Sequence, residues 1–294
     1  MKLVGLHHIT MITADARANV RFYSDVLGLR LVKKTVNFDQ PDAYHLYFGD
    51  ETGAPGSILT WFEFTGAARG RAGIGQIHTL QLGVASEAAL DFWRERVGGT
   101  RFTDPDGLQL ELVVSSLGNP PLTARHPDIP AEFAIAGVEG ARAYSAYASV
   151  EEKVLTDTLG FTYEGDGEYL LEGSERRFRW AYDPAPATRG AQGAGSVHHI
   201  AWASPDEDHL AWQARIRELG GAVTEVRDRD YFKSIYFLVP TGVLFEIATL
   251  SPGFAVDEDP EHLGESLRLP RQHEHLRARL EASLAPVDNP RVHA

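Results

Sequence analysis

The sequence predicts an α+β protein made of four βαβββ modules, paired into two cups of curled, mixed, mainly antiparallel sheet with flanking helices. Three observations lead there. A grammar of strand, helix and further strands recurs four times along the 294 residues. Two of the opening strands carry nearly the same segment, Leu6-His7-His8-Ile9-Thr10 and Val197-His198-His199-Ile200-Ala201. The closing strand of the fourth copy, Val243-Leu244-Phe245-Glu246-Ile247, holds one carboxylate among apolar neighbours.

The first copy opens at His8-Ile9-Thr10-Met11-Ile12 and passes through a helix from near Ala16 to Leu27 that stops at Gly28. Strands Leu29-Arg30-Leu31-Val32, Tyr44-His45-Leu46-Tyr47-Phe48 and Ser57-Ile58-Leu59-Thr60-Trp61 follow. The second copy is shorter: a strand from Thr79 to Val84, a helix from Ser86 to Val97 ended by Gly98-Gly99, and a last strand Leu108-Gln109-Leu110-Glu111-Leu112. The third has a strand from Arg142 to Ala148, then Ser149 with Glu152 three residues on as a capping box, and a stop at Gly160. In the fourth, Ser204-Pro205-Asp206-Glu207 supplies cap, first-turn proline and box glutamate, Trp212, Ile216 and Leu219 mark the buried stripe, and Gly220-Gly221 ends the helix. Strands Ser234-Ile235-Tyr236-Phe237-Leu238 and Val243-Leu244-Phe245-Glu246-Ile247 complete it.

A turn-rich stretch from Gly118 to Pro130 divides the chain into an N-terminal half, 1–125, and a C-terminal half, 126–250. Beyond lies an extension, 251–294, with Leu276, Leu280 and Leu284 spaced for an amphipathic helix that packs across the body or a partner subunit. A homo-oligomer is expected, its subunit number open.

The formal charge of -13, with no basic cluster, disfavours nucleic acid and anionic membrane surfaces and favours a small-molecule partner. The absence of cysteine removes disulfides, thiolate metal sites and cysteine nucleophiles, so any metal takes N and O ligands. No apolar run of roughly 18 residues could span a bilayer, and no apolar leader opens the chain, so a cytoplasmic protein is expected.

If the four copies are homologous, their strands can be overlaid. The closing-strand position is then Thr60, Glu111, a residue near Trp180, and Glu246; the opening-strand position is His8, Gln81, Gly140 and His199. Pairing the first copy with the fourth brings together His8, Thr60, His199 and Glu246. No other pairing yields two histidines and a carboxylate of equal quality, so the ends of the chain are expected to meet in the active cup. Two histidines and one carboxylate make the facial triad that holds non-haem Fe(II) and leaves neighbouring positions open. A lone strand histidine is more often a hydrogen-bonded core residue. Here the two histidines share a repeat position, and a carboxylate between Phe245 and Ile247 is costly unless paired or bound to metal.

These segments resemble the vicinal-oxygen-chelate superfamily, and within it the ring-cleaving dioxygenases that act on hydroquinone-type substrates. The similarity runs through Gly28 to Phe38, Asp228 to Phe237 and Gly242 to Thr249 as well as the two His-His segments, and covers most of the chain. It implies Fe(II) held by His8, His199 and Glu246; Mn(II) accepts the same N and O ligands. The similarity implies cleavage of an aromatic diol by O2, with His7, Thr10, His198, Arg229 and Tyr236 around the ion. On chemical grounds Tyr236 can donate to a bound phenolate, Arg229 is a permanent cation, and His7 or His198 can titrate near neutrality. Thr10, two residues from His8, faces the same side of its strand. His7 and His198 would point away in regular strands and reach the site only through a bulge. The plain alternatives are strand-end hydrogen bonds for these two, a core role for Tyr236, and an ion pair with Asp228 or Asp230 for Arg229.

Among the other histidines, His45 lies on a strand and could line the pocket, with nothing to fix its direction, and His78 and His209 read as loop or exposed-helix positions. Two other functions compete: a glyoxalase-like isomerase or epimerase, whose fuller ligand set commonly has a second carboxylate where Thr60 stands, and a non-catalytic binding protein, which would lack the triad.

Overall fold

The computed structural model describes residues 1–146 and 148–293. Four modules follow one another. The first comprises β1 (Gly5–Thr13), α1 (Ala16–Val20), β2 (Arg30–Val36), β3 (Tyr44–Gly49) and β4 (Ile58–Glu63). Asp15 caps α1 by accepting from Arg17 and Ala18 N–H, and the helix runs on to Val26 with wider π-type turns. The second comprises β5 (Ile77–Val84), α2 (Glu87–Val97), β6 (Arg101–Thr103) and β7 (Gln109–Val114). The third comprises β8 (Val138–Ser145), α3 (Ala148–Lys153), β9 (Phe161–Gly165), β10 (Glu168–Glu172) and β11 (Arg177–Pro184). The fourth comprises β12 (Val197–Ser204), α4 (His209–Glu218), β13 (Arg227–Asp228), β14 (Lys233–Leu238) and β15 (Leu244–Thr249).

Modules one and four form an eight-stranded sheet, β13-β14-β15-β12-β1-β4-β3-β2; modules two and three form a seven-stranded one, β6-β7-β5-β8-β11-β10-β9. The expected pairing of first with fourth copy is what the fold adopts, and each sheet takes one module from each half of the chain. In both sheets the opening strands pair antiparallel at the centre, and each pairs parallel with the closing strand of its own module.

The seam between the sheets is aromatic. Trp202 and Phe245 of the first sheet pack against Phe178 and Trp180 of the second, with ring centroids 5.2–6.2 Å apart across Trp202 and its neighbours. Alternation along β15 therefore sends Phe245 and Ile247 into the core and Glu246 to the opposite face, into the cup. The two connections between the sheets run side by side, bridging Arg69 to Ala194 and Arg71 to Ala191. Glycine is required there: a Cβ on Gly193 would lie 2.4 Å from the Ala68 carbonyl oxygen.

Several local expectations are corrected. The third opening strand starts at Val138, and Ser149 lies inside α3 rather than capping it. A 3-10 turn, Asp206–Asp208, precedes α4, so Ser204 is not its cap. Leu219 is exposed, because the chain leaves the helix there for the turn at Gly220. His78 sits on β5, and His209 is buried.

The extension folds back onto β2. Leu280 of α5 (Arg277–Ser283) packs with Val36 and Leu269, flanked by Leu276 and Leu284. The fully buried Lys33 ammonium bonds to Asp257 and Glu258, pinning the start of the extension to the sheet. Among the described residues, no helix is long and apolar enough to cross a membrane.

Candidate active site

The site is built from a repeated backbone irregularity. Along the β1–β12 pair, Leu6 faces Trp202 but His8 faces Ala201, and Thr10 faces His199 but Met11 faces Val197. His7 and His198 are thus each an extra residue in the ladder, two β-bulges related by the quasi-two-fold between modules one and four. A bulge lifts the alternation rule locally, so adjacent residues can serve one site.

The bulged rings meet their neighbours identically. His7 Nδ1 lies 2.8 Å from His8 Nδ1, and His198 Nδ1 lies 2.7 Å from His199 Nδ1. In both pairs the ring centroids are 5.0 Å apart and the planes cross at 81°. Each contact occupies the Nδ1 of the central ring, so its Nε2 is left for the cup.

Those Nε2 atoms converge on Glu246. Its Oε2 is 2.9 Å from His199 Nε2 and 3.5 Å from His8 Nε2, and the two nitrogens are 3.3 Å apart. Glu246 is fully buried; Ser234 donates to its Oε1 at 2.5 Å, while no hydrogen bond of good geometry reaches Oε2. Among the described residues these three form a group whose ligand atoms all lie within 4.8 Å of one another. A buried carboxylate oxygen without a donor, facing two imidazole nitrogens, suits a divalent cation of N/O preference. Burial alone would raise the Glu246 carboxyl, but the facing His8 and His199 rings outweigh it and hold the group well below the usual carboxylate range.

The remaining expected residues gather around this centre. Thr10 is buried, and its hydroxyl accepts from Thr60 Oγ1 at 2.9 Å. Tyr236 stands across the strand from Glu246 and packs edge-on to His199, with centroids 5.7 Å apart. Burial first, and then the Glu246 charge, push its phenol up, so it stays protonated. Arg229 Nε reaches the Tyr236 hydroxyl at 3.4 Å, and its guanidinium lies over the Tyr236 and Phe38 rings. The alternative of an ion pair with Asp228 or Asp230 is not what the fold adopts: Arg229 pairs with Asp39, at 3.0 Å. One expectation is corrected on chemistry: burial, followed by the neighbouring ring, pulls His7 down to about 3 and His198 down to about 4. Both are neutral at neutral pH and cannot titrate there.

A narrow cleft opens beside the triad, with His8 and His199 in its lining. Phe38, Phe62 and Phe232 wall it, and Phe232 also packs on His7 and His8 at 4.8 and 5.2 Å. The extension is tied to the segments that carry Phe38 and Arg229. Gln272 donates to the Phe38 carbonyl at 2.7 Å, with His273 Nε2 at 2.8 Å from the same oxygen, and Arg271 N–H donates to Asp230 at 2.9 Å on the other side.

His45 and Tyr47 also line the cleft, and sequence reasoning left both out. Two residues apart on one strand, they share a face, but the register of β3 against the rest was not legible.

The register also revises the overlay. Thr79 pairs with Arg142 as His8 pairs with Ala201, so Thr79, not Gln81, is the counterpart of His8; Gln81 matches Thr10. The third closing position is Ala181, which faces Arg142 as Glu246 faces Ala201. Thr60 and Glu111 hold the positions expected for them.

The family description "Glyoxalase/Bleomycin resistance protein/Dioxygenase superfamily" matches residues 5–112 and 153–247. The Bacillus subtilis protein named "Putative ring-cleaving dioxygenase MhqO" is 42% identical over 98% of this chain and 97% of its own. The "Chlorohydroquinone/hydroquinone 1,2-dioxygenase" of Sphingobium indicum is 32% identical over 92% of each. The crystal structure of a "putative dioxygenase" from Bacillus subtilis superposes with a TM-score of 0.90 at 40% identity over 98% of both chains. Glyoxalase I of Zea mays, 14% identical with a TM-score of 0.56, shares the fold alone. This chain belongs to the glyoxalase/bleomycin resistance protein/dioxygenase superfamily, in the branch that holds these ring-cleaving relatives.

Proposed function

We propose that this protein is an Fe(II)-dependent dioxygenase that opens the ring of a hydroquinone- or catechol-type diol with O2. The observation that carries the reading is the convergence of His8, His199 and Glu246 with Thr60, not a second carboxylate, at the fourth position of the cup. Held by these three side chains, Fe(II) would supply a Lewis acid for the diol oxygens and a route by which electrons of the diol reach O2. Mn(II) fits the same ligand set. The hydroquinone dioxygenase among the relatives supports the para-diol as first substrate to try.

The side chains take distinct parts. His7 and His198, neutral, accept from the Nδ1–H of His8 and His199 and so hold each ligand in the tautomer whose Nε2 lone pair faces the ion. Tyr236 donates a hydrogen bond to the anionic diol oxygen. Arg229 keeps positive charge over the same region and fixes the Tyr236 hydroxyl. Phe38, Phe62 and Phe232 offer apolar faces to the ring.

The test is an anaerobic reconstitution with Fe(II), followed by air and a panel of hydroquinone, methylhydroquinone and catechol. One O2 consumed per diol, with a coloured ring-opened product, is expected. No uptake with any diol, together with isomerase activity under nitrogen, would overturn the reading in favour of a glyoxalase-like enzyme.

A further inference from the structure

The quasi-two-fold extends beyond the triad. Tyr47 faces Thr60 across the β3–β4 pair as Tyr236 faces Glu246 across β14–β15, and His45 faces Phe62 as Ser234 faces Ala248. Module four thus presents Tyr236, Ser234 and Glu246 where module one presents Tyr47, His45 and Thr60. The side-chain bonds repeat as well: Ser234 donates to Glu246, and His45 Nε2 lies 2.9 Å from Thr60 Oγ1.

Module one supplies only one ligand, His8, so the open face of a bound ion is turned toward Thr60. The groups bordering that face form one row: Tyr47 Oη to His45 Nδ1 at 2.9 Å, His45 Nε2 to Thr60 Oγ1 at 2.9 Å, and Thr60 Oγ1 to Thr10 Oγ1 at 2.9 Å. All four residues are buried, and Tyr47 and His45 line the cleft. Both ring nitrogens of His45 are spoken for. A neutral imidazole carries one N–H, so its tautomer decides whether Tyr47 donates to it or accepts from it, while the threonine hydroxyls rotate to suit either. When His45 Nδ1 donates to Tyr47, the phenol proton is free for an oxygen or anion on the open face. When Tyr47 donates to His45, its lone pair is free to receive a hydroxyl.

We propose that Tyr47 contacts the ligand that enters the open face of the triad, and that His45 is the positioning residue that aims it. The proposal rests on the metal-triad reading but not on the identity of the substrate. Two measurements keep these apart. The first uses Co(II)-loaded protein and azide, an anion that takes an open coordination position and accepts a hydrogen bond, followed by the visible spectrum of the cobalt.

Azide affinity is expected to fall roughly ten- to hundredfold in Tyr47→Phe, the loss of one hydrogen bond to a charged group. His45→Phe falls equally, His45→Gln recovers most of the loss because its amide can bond at both ends, and the double Phe variant is no worse than either single one. The second uses Fe(II) protein with hydroquinone: kcat falls in Tyr47→Phe and His45→Phe more than KM rises. Wild-type azide affinity in Tyr47→Phe, additive losses in the double variant, or no recovery in His45→Gln would each overturn the proposal. Cobalt content and thermal midpoint, measured on each variant, separate these results from misfolding. A diol panel without oxygen uptake sinks the dioxygenase reading and leaves the azide result to decide this one.

Discussion

The two cups share a backbone and differ at their centres. The second sheet has the same pair of bulges: His78 and Glu139 are the extra residues along β5–β8, as His7 and His198 are along β1–β12. Even the local contact persists, with His78 Nδ1 2.9 Å from Thr79 Oγ1. Yet the four ligand positions read Thr79, Glu111, Gly140 and Ala181. Glu111 is committed to Gln81 and Arg101 at 2.9 and 2.7 Å. Arg142 occupies the place of Ala201 and donates to Asp183 and Glu168 at 2.6 and 2.8 Å. Where the first cup gathers lone pairs, the second brings its own cation. The difference teaches that the curled sheet is a frame, and that a small residue at position 201 matters as much as the ligands.

The largest expected effect separates the cups outright. Glu246→Gln removes the anionic ligand, and bound iron and oxygen uptake both fall, the latter by about a thousandfold or more. Arg142→Met, at the centre of the other cup, leaves both unchanged; a comparable loss there would mean that the second cup takes part in the chemistry. Next come the bulged histidines. His7→Phe or His198→Phe weakens the hold on metal by about 10- to 100-fold in competition with a chelator, while His78→Phe, at the matching bulge, has no such effect. Equal losses in all three would show that the bulge residues act on folding rather than on the ligands.

The smallest effect is one of pH. Hydrogen bonds from Arg142 outweigh burial and hold Asp183 below its ordinary value of 3.8. A depressed carboxylate stabilises the folded state at every pH above the unfolded value, and that contribution is lost as pH falls through the folded one. The urea midpoint should therefore drop below about pH 4, and Asp183→Asn should flatten that acid limb without touching activity at neutral pH. An unchanged limb would show that the pair is screened by solvent.

Much of this was legible in the residues, and the gaps have physical causes. The doubled histidines and the isolated Glu246 were enough to choose which modules pair, because only one pairing brought strong ligands together. The overlay slipped at Gln81 because a shift of two residues keeps the same face outward, and Thr79 and Gly140 offer no ligand to mark the register. His45 was unreadable because every residue of β3 is buried, which erases the polar alternation that gives a strand its direction. The bulges left no signal of their own; only the demand that His7 and His198 reach the site pointed to them. The ties from Arg271, Gln272 and His273 rest on backbone acceptors and one aspartate, which no pattern of side chains announces.

The central ladder joins the first strand of the chain to the twelfth, and His8 and His199 are 191 residues apart. On a ribosome, roughly 10 to 40 s of synthesis separate them. Throughout that interval the first module has an unpaired sheet edge and one side chain of the triad, His8. Assembly of the three-residue group is thereby a late event, and a chain cut short after its second or third module lacks both His199 and Glu246.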